Sequence, residues 1–125
     1  MAAAADARGI VLLAHGSRDA RWRAPIEAVA ARLTALDPQA RVACAYMELA
    51  TPDLHTAAAA LIASGAKALR IVPLFLGMGK HAREDLPLQV EALRQAWPDL
   101  DFELARTVGE EPELIDLLAR IAHKP

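Results

Sequence analysis

Two histidines and a glutamate lie at similar positions in this 125-residue chain, each just after an apolar run. His15 follows the run 9–14, Glu48 follows the run 41–47, and His81 lies a few residues after the run 69–76. Neutral imidazole is a ligand for cobalt, iron, nickel and zinc ions, and it also moves protons near neutral pH. These residue types therefore predict metal or proton chemistry, provided that the fold brings them together.

Strands and helices are predicted to alternate along the chain, and they must position these residues. Strands are predicted over 9–14, 41–47, 69–76 and 101–105, because short apolar runs are typical of strands in parallel sheets. Helices are predicted over 19–36, from Thr51–Pro52 to 64, from the loop 77–80 to 97, and from 111 onward. Strands that alternate with helices favour one α/β domain with helices on both faces of a parallel sheet.

Several residues set the expected limits of these elements. Pro73 lacks a backbone donor, so the third strand should bulge or end early there. Thr51 is the expected N-cap of the second helix, and Pro87 is expected in the first turn of the third. Apolar stripes are predicted on the first and last helices at Trp22, Ile26, Val29, Leu33 and Leu36, and at Leu114, Leu117, Leu118 and Ile121.

A flavodoxin-like strand order of 2-1-3-4 would make the three candidate residues neighbours. In open parallel sheets, ligands bind beyond the carboxyl ends of strands where the strand order reverses. Strands one and three meet at that point, with strand two beside strand one. We therefore expect His15, Glu48 and His81 to line one crevice. Two imidazoles in an open site, without the four close ligands of structural zinc, suit a metal that is bound briefly and passed on.

Composition narrows the classes of function. A formal net charge of -2 gives no basis for binding nucleic acid or an anionic membrane, and no apolar stretch is as long as a membrane span. The single Cys44 is expected in the core, which fits a reducing compartment and hence the cytoplasm. Residues 1–7 are expected to be a flexible tail before one domain over 8–125, and His55 and His123 are expected at the surface.

Three segments resemble the class II chelatases. These are Leu-Leu-Ala-His-Gly-Ser-Arg-Asp (12–19), Tyr-Met-Glu-Leu-Ala-Thr-Pro (46–52) and Pro-Leu-Phe-Leu-Gly-Met-Gly-Lys-His-Ala-Arg-Glu-Asp-Leu-Pro (73–87). They occur in the family's order and span most of the chain. The resemblance implies a chelatase-like fold and ATP-independent insertion of a divalent metal, Co²⁺ first and otherwise Fe²⁺ or Ni²⁺, into a sirohydrochlorin-type tetrapyrrole in cobalamin or siroheme biosynthesis.

The resemblance also implies roles for individual residues. His15 and His81 would be metal ligands, with His15 also accepting a proton, and Glu48 would lie at the substrate. The loop Leu76, Gly77, Met78, Gly79 and Lys80 would line the macrocycle, and Arg18, Lys80 and Arg83 could pair with its carboxylates. No cofactor is implied beyond the substrate metal ion. Larger members enclose the macrocycle between two lobes, so this one-lobed chain is expected to form a homodimer.

Two other functions fit parts of the pattern. A non-catalytic carrier of metal or tetrapyrrole would need the same ligands, and only turnover distinguishes it from an enzyme. Histidine phosphatases also have His-Gly after a first strand, but they place an arginine directly before the histidine, where this chain has Ala14.

Overall fold

The computed structural model describes residues 8–125, and the tail predicted for residues 1–7 lies outside the described residues. The strands are β1 (Arg8–Ala14), β2 (Arg41–Tyr46), β3 (Ala68–Pro73) and β4 (Asp101–Leu104). The helices are α1 (Ala24–Leu36), α2 (Leu54–Ala63), α3 (Lys80–Ala96) and α4 (Pro112–His123), with 3₁₀ helices at Ala20–Arg23 and Val108–Glu110. Within residues 8–125, no helix is long and apolar enough to cross a membrane.

The four strands form one parallel sheet in the order β2-β1-β3-β4. The predicted fold class and strand order are therefore confirmed. β1 is central because its side chains are apolar from Ile10 to Ala14, and all of them are buried. Ala14 pairs with Tyr46, and Leu13 pairs with Pro73, so the carboxyl ends of three strands meet at one edge of the sheet.

The main core lies between the sheet and the helices α2 and α3. Val11 and Leu13 of β1 pack there with Leu61 of α2 and with Leu86 and Val90 of α3. Helix α1 packs on the opposite face, against β2 and β1. The contacts of α4 are concentrated on the adjacent 3₁₀ helix Val108–Glu110.

The predicted helix over 19–36 is two helices. Asp19 caps a 3₁₀ helix by accepting from the backbone N–H of Arg21, and α1 begins only at Ala24. Pro25 favours that start, since proline lacks an N–H and suits the first turn of a helix. The predicted stripe is also not a core stripe, because Trp22, Val29 and Leu36 are 51%, 45% and 74% exposed.

Two other helix boundaries differ from the prediction. The N-cap of α2 is Asp53, whose carboxylate accepts from Thr56 N–H at 2.8 Å, and Thr51–Pro52 lies before the helix with a cis peptide bond. Pro87 lies in the interior of α3 because that helix already begins at Lys80. In contrast, β3 ends at Pro73 as predicted, and Gly65 ends α2 with a φ of 113°.

Candidate active site

His15 lies directly after β1 and is fixed by three neighbours. Its Nδ1 is 2.8 Å from Oε1 of Glu48, and its ring is stacked on Phe75 with centroids 4.5 Å apart. The indole N–H of Trp22 donates to the His15 carbonyl at 2.7 Å. The imidazole is therefore held in one orientation, although about half of its side chain is exposed to solvent.

Glu48 reaches His15 because the loops after β1 and β2 lie very close together. Met47 N–H donates to the carbonyl of Ala14 at 2.9 Å, which extends the strand pairing beyond the sheet. A Cβ at Gly16 would lie 1.7 Å from the carbonyl oxygen of Glu48. Only glycine fits at this approach, so Gly16 allows the contact between the imidazole and the carboxylate.

The contact with Glu48 determines which nitrogen of His15 is available. An ionised carboxylate can only accept, so it places the proton of the neutral imidazole on Nδ1. Nε2 then carries the lone pair, which can bind a metal ion or accept a proton. Carboxylates hold metal-binding histidines in the same way in many metal sites.

His81 lies in the first turn of α3, after its N-cap Gly79. His15, Glu48 and His81 line one cleft of about 500 Å³. The other residues that line this cleft are Met47, Ala82, Glu84, Asp85 and Leu88. The strand order thus brings the three predicted side chains to one cleft.

Among residues 8–125, no three or more His, Cys, Asp or Glu side chains are grouped closely enough to hold a metal ion together. A divalent ion in the cleft would therefore have few protein ligands. Few ligands leave coordination positions open for the nitrogens of an incoming ligand, as in catalytic rather than structural metal sites.

Part of the loop expected to line the macrocycle lines a second pocket next to the cleft. Leu76, Gly77 and Met78 line a neighbouring pocket of about 300 Å³. Arg83 contributes to the same pocket and donates to the carbonyl of Met78 at 3.1 Å. Gly77 and Gly79 face open space, since a Cβ on either would meet no atom within 4 Å, and Lys80 begins α3. These loop residues and the two histidines therefore line two neighbouring pockets.

Sequence reasoning missed the residues that hold His15 in place. The sequence predicts Phe75 at the end of the third strand and Trp22 in a helical stripe, and neither position indicates a contact with an imidazole. Asp85 is a further residue that lines the cleft. The sequence does indicate it, because it lies four residues after His81 and residues at this spacing share one face of a helix. Asp19, at the same spacing from His15, instead pairs with Arg21, which lowers the pKa of its carboxyl.

The remaining candidates lie away from the cleft. His55 is exposed and stacks on Trp97 with ring centroids 5.3 Å apart, and His123 is exposed at the end of α4. Cys44 is half-buried on β2, where burial and, to a lesser degree, the nearby Glu27 carboxylate raise the pKa of its thiol. A thiol held in its neutral form is a poor nucleophile.

Comparison with known proteins identifies the family. The family model CbiX matches residues 9–124. The chain belongs to the CbiX family. The family resemblance expected from the three motifs is therefore confirmed.

Relatives in the CbiX family differ in the fraction of their length that this chain covers. The chain is 28% identical over 116 residues to a sirohydrochlorin cobaltochelatase of Sulfolobus acidocaldarius, covering 93% of this chain and 90% of that protein. The crystal structure of a cobalamin (vitamin B12) biosynthesis CbiX protein from Marinobacter aquaeolei VT8 superposes with a TM-score of 0.79 at 36% identity, covering 92% of this chain and 93% of that one.

Longer relatives share the fold. The sirohydrochlorin chelatase SirB of Bacillus subtilis subspecies spizizenii, solved in complex with cobalt, superposes with a TM-score of 0.77 at 22% identity. That match covers 90% of this chain and 48% of the SirB chain, and at this identity it establishes the fold alone. Several other curated sirohydrochlorin chelatases are longer too, and the chain spans 27% to 62% of their length.

Proposed function

We propose that this CbiX-family protein inserts a divalent metal ion into sirohydrochlorin without ATP. One observation carries the proposal: His15, oriented by Glu48, shares a cleft with His81 at the carboxyl ends of β1 and β3. The names of the relatives, cobaltochelatase and ferrochelatase of sirohydrochlorin, agree with this chemistry. Co²⁺ is the proposed substrate ion, with Fe²⁺ and Ni²⁺ as alternatives, since imidazole binds all three.

His15 would accept one of the two protons that insertion releases, once the metal ion has moved from its Nε2 to the macrocycle, and solvent, which reaches the half-exposed imidazole, would take the other. A metal ion replaces two pyrrole N–H protons, so the site needs a base close to the macrocycle. Nε2 of His15 can be this base, because the contact of Nδ1 with Glu48 leaves the Nε2 lone pair available and stabilises the imidazolium that forms. We assign Glu48 the role of orienting His15, in addition to its place beside the substrate.

His15 and His81 would deliver the ion as weak ligands. A site with few protein ligands binds an ion less tightly than a closed cage, and transfer to four macrocycle nitrogens is then favourable. The loop Leu76–Lys80 would contact the macrocycle next to the cleft, where Leu76 and Met78 offer apolar surface. Arg83, which lines that pocket, and the exposed Arg18 would pair with carboxylates of the substrate.

We further propose that the protein acts as a homodimer in a reducing compartment. A second copy of the chain would cover the open cleft and help to exclude water from the substrate. A reducing compartment such as the cytoplasm fits a chain whose single cysteine is the half-buried thiol Cys44.

The test is the visible absorption change on metal insertion, followed with sirohydrochlorin and Co²⁺ under anaerobic conditions. His15→Ala should lower the initial rate by about 10²-fold or more, the usual effect of removing a general base, and His81→Ala should lower it and raise the metal concentration needed. His55→Ala is the matched control, since His55 lies outside the cleft, and it should keep the wild-type rate.

Two results would contradict this assignment. Wild-type rates for both cleft variants would mean that the histidines do not carry the chemistry. Stoichiometric binding of metal or sirohydrochlorin by the wild-type protein, with no turnover, would instead identify a carrier.

A further inference from the structure

The cleft carries negative charge beyond that of Glu48, which is in contact with His15. Glu84 and Asp85 also line it, both from α3. Among the described residues that line the cleft, none is a lysine or an arginine. Carboxylates that line a cleft without neighbouring cationic side chains raise the local concentration of cations. The cleft therefore attracts a divalent ion before any ligand binds it.

Asp85 lies on the same face of α3 as His81. The two residues are four positions apart in the helix, a spacing that places their Cβ atoms about 5–6 Å from each other. Two side chains at this spacing can bind one ion, as the two histidines of a His-Glu-x-x-His helix bind zinc. Both residues are exposed and line the cleft, so a hydrated ion has access to them.

Gln89 holds the carboxylate of Asp85 in place. Its side-chain amide donates to Oδ2 of Asp85 at 2.5 Å, from one turn further along α3. Metal-binding carboxylates are commonly oriented by a hydrogen bond of this kind. The bond uses one carboxylate oxygen, so Oδ1 remains for an ion. Within residues 8–125, no such hydrogen bond holds the side chain of Glu84, which makes Asp85 the better ordered of the two carboxylates.

Asp85 and His15 are suited to consecutive steps. Among residues 8–125, no three His, Cys, Asp or Glu side chains are grouped closely enough to hold one ion together. His81 shares the cleft with both residues, so it can pair with Asp85 on its own helix or with His15 from the end of β1. An ion with two protein ligands keeps positions open for water and for incoming ligands, which allows one protein ligand to replace another.

We propose that Asp85 and His81 form an entry position, where a divalent ion binds before it reaches His15. Nε2 of His15 then replaces the Asp85 carboxylate on the ion while His81 stays bound, and this exchange transfers no proton or electron. The macrocycle receives the ion from the two histidines. This proposal rests on metal insertion as the function of the cleft, and it assigns the capture of the ion to Asp85.

The first test measures the binding of Co²⁺ alone by equilibrium dialysis, without a tetrapyrrole. Asp85→Asn keeps the size of the side chain and an acceptor for Gln89, but it removes the charge. It should weaken Co²⁺ binding by about 10–100-fold, the usual effect of removing a group that supports a bound metal. Glu84→Gln removes the same charge from the same cleft and should have a much smaller effect. Circular dichroism establishes that both variants fold.

A double-mutant cycle shows whether Asp85 and His81 hold the same ion. Two ligands of one ion are coupled, so removing the second costs less once the first is gone. The loss of Co²⁺ affinity in the combined variant Asp85→Asn and His81→Ala should therefore be smaller than the product of the two single losses. Asp85→Asn combined with His55→Ala is the matched control and should lose no more affinity than Asp85→Asn alone.

Insertion kinetics separate the capture of the ion from the later steps. Asp85→Asn should raise the KM for Co²⁺ about tenfold with little change in kcat or in the KM for sirohydrochlorin, since a high metal concentration replaces capture. His15→Ala should show the opposite pattern, with a lower kcat and Co²⁺ binding that persists through Asp85 and His81.

Three results would overturn the entry position. Equal Co²⁺ affinity in the wild type and Asp85→Asn would show that Asp85 does not bind the ion. An equal loss in Glu84→Gln would show that only the summed charge of the cleft acts. Losses that multiply in the combined variant would show that Asp85 and His81 do not share an ion.

These binding tests use no macrocycle, so they are independent of turnover. Coupled Co²⁺ binding by Asp85 and His81 in a wild-type protein that inserts no metal would support the metal site and contradict the proposed function. Normal insertion with any of the three overturning results would leave the proposed function intact and remove the entry position alone.

Discussion

Gly16 shows how one residue sets the geometry of the cleft. It lies between His15 and the backbone of Glu48, in a space with no room for a methyl group. A side chain at this position would push apart the two loops that hold the imidazole and the carboxylate in contact. The position of the candidate base therefore depends on a residue that takes no part in its chemistry.

Replacing Gly16 tests this dependence. Gly16→Ala should lower the free energy of unfolding by about 1–3 kcal/mol, the usual cost of forcing extra atoms into a packed site, and should also slow metal insertion. Thermal or urea unfolding measures the first effect. Gly77→Ala is the matched control, because a Cβ there meets no atom within 4 Å, and its stability should stay close to that of the wild type. Equal losses in both variants would contradict the steric argument.

Glu48 should act through His15. Glu48→Ala is expected to lower the insertion rate by about 10–100-fold, the usual effect of removing the carboxylate that orients a metal-binding histidine. Glu48→Gln keeps a hydrogen-bond acceptor and should retain more activity than alanine at equal substrate. Glu91→Gln removes a carboxylate that pairs with Arg94 on α3, and it should leave the rate unchanged. If the glutamine and alanine variants were equally slow, orientation by a hydrogen bond would not be the role of Glu48.

The positions of His15, Glu48 and His81 could be predicted from the sequence, but the residues that hold His15 in place could not. A residue that directly follows a strand is placed by that strand, so the strand order brings His15 and Glu48 together, and His81 joins them from the first turn of α3. Phe75 reaches His15 from the loop after β3, and Trp22 reaches it from the 3₁₀ helix before α1. No periodicity in the sequence encodes those conformations.

At the scale of elements, the sequence predicted the types of element better than their ends. Pro73 ended β3 as expected because the missing N–H removes a ladder bond. The start of α2 was misplaced at Thr51, since two residues with good capping side chains, Thr51 and Asp53, lie two positions apart. The structure selects Asp53, whose carboxylate reaches the N–H of Thr56.

The cap of α2 gives a pH dependence with a definite sign. The hydrogen bonds from Thr56 lower the pKa of Asp53 below its ordinary value of 3.8. A lowered pKa in the folded state stabilises the protein above the unfolded value, and this contribution is lost as the pH falls below about 4. Asp53→Ala should cost about 1 kcal/mol at pH 7, as cap removal usually does.

Asp53→Asn separates the charge from the cap. Asparagine still caps the helix but does not titrate, so the stability difference between wild type and Asp53→Asn should shrink between pH 7 and pH 3. Urea unfolding at the two pH values measures this difference. A difference that stays constant across that range would show that the carboxylate charge contributes nothing to the cap.

At the scale of the whole molecule, the sheet order could be predicted and the position of α4 could not. Alternating strands and helices with right-handed crossovers leave few topologies, and the order β2-β1-β3-β4 was among them. The stripe predicted on α4 is not packed into the core, since Leu117, Leu118 and Ile121 are 44%, 38% and 50% exposed. Periodicity does not give the direction of α4, because that direction depends on the segment before the helix, where Gly109 N–H donates to the carbonyl of Phe75 at 2.9 Å.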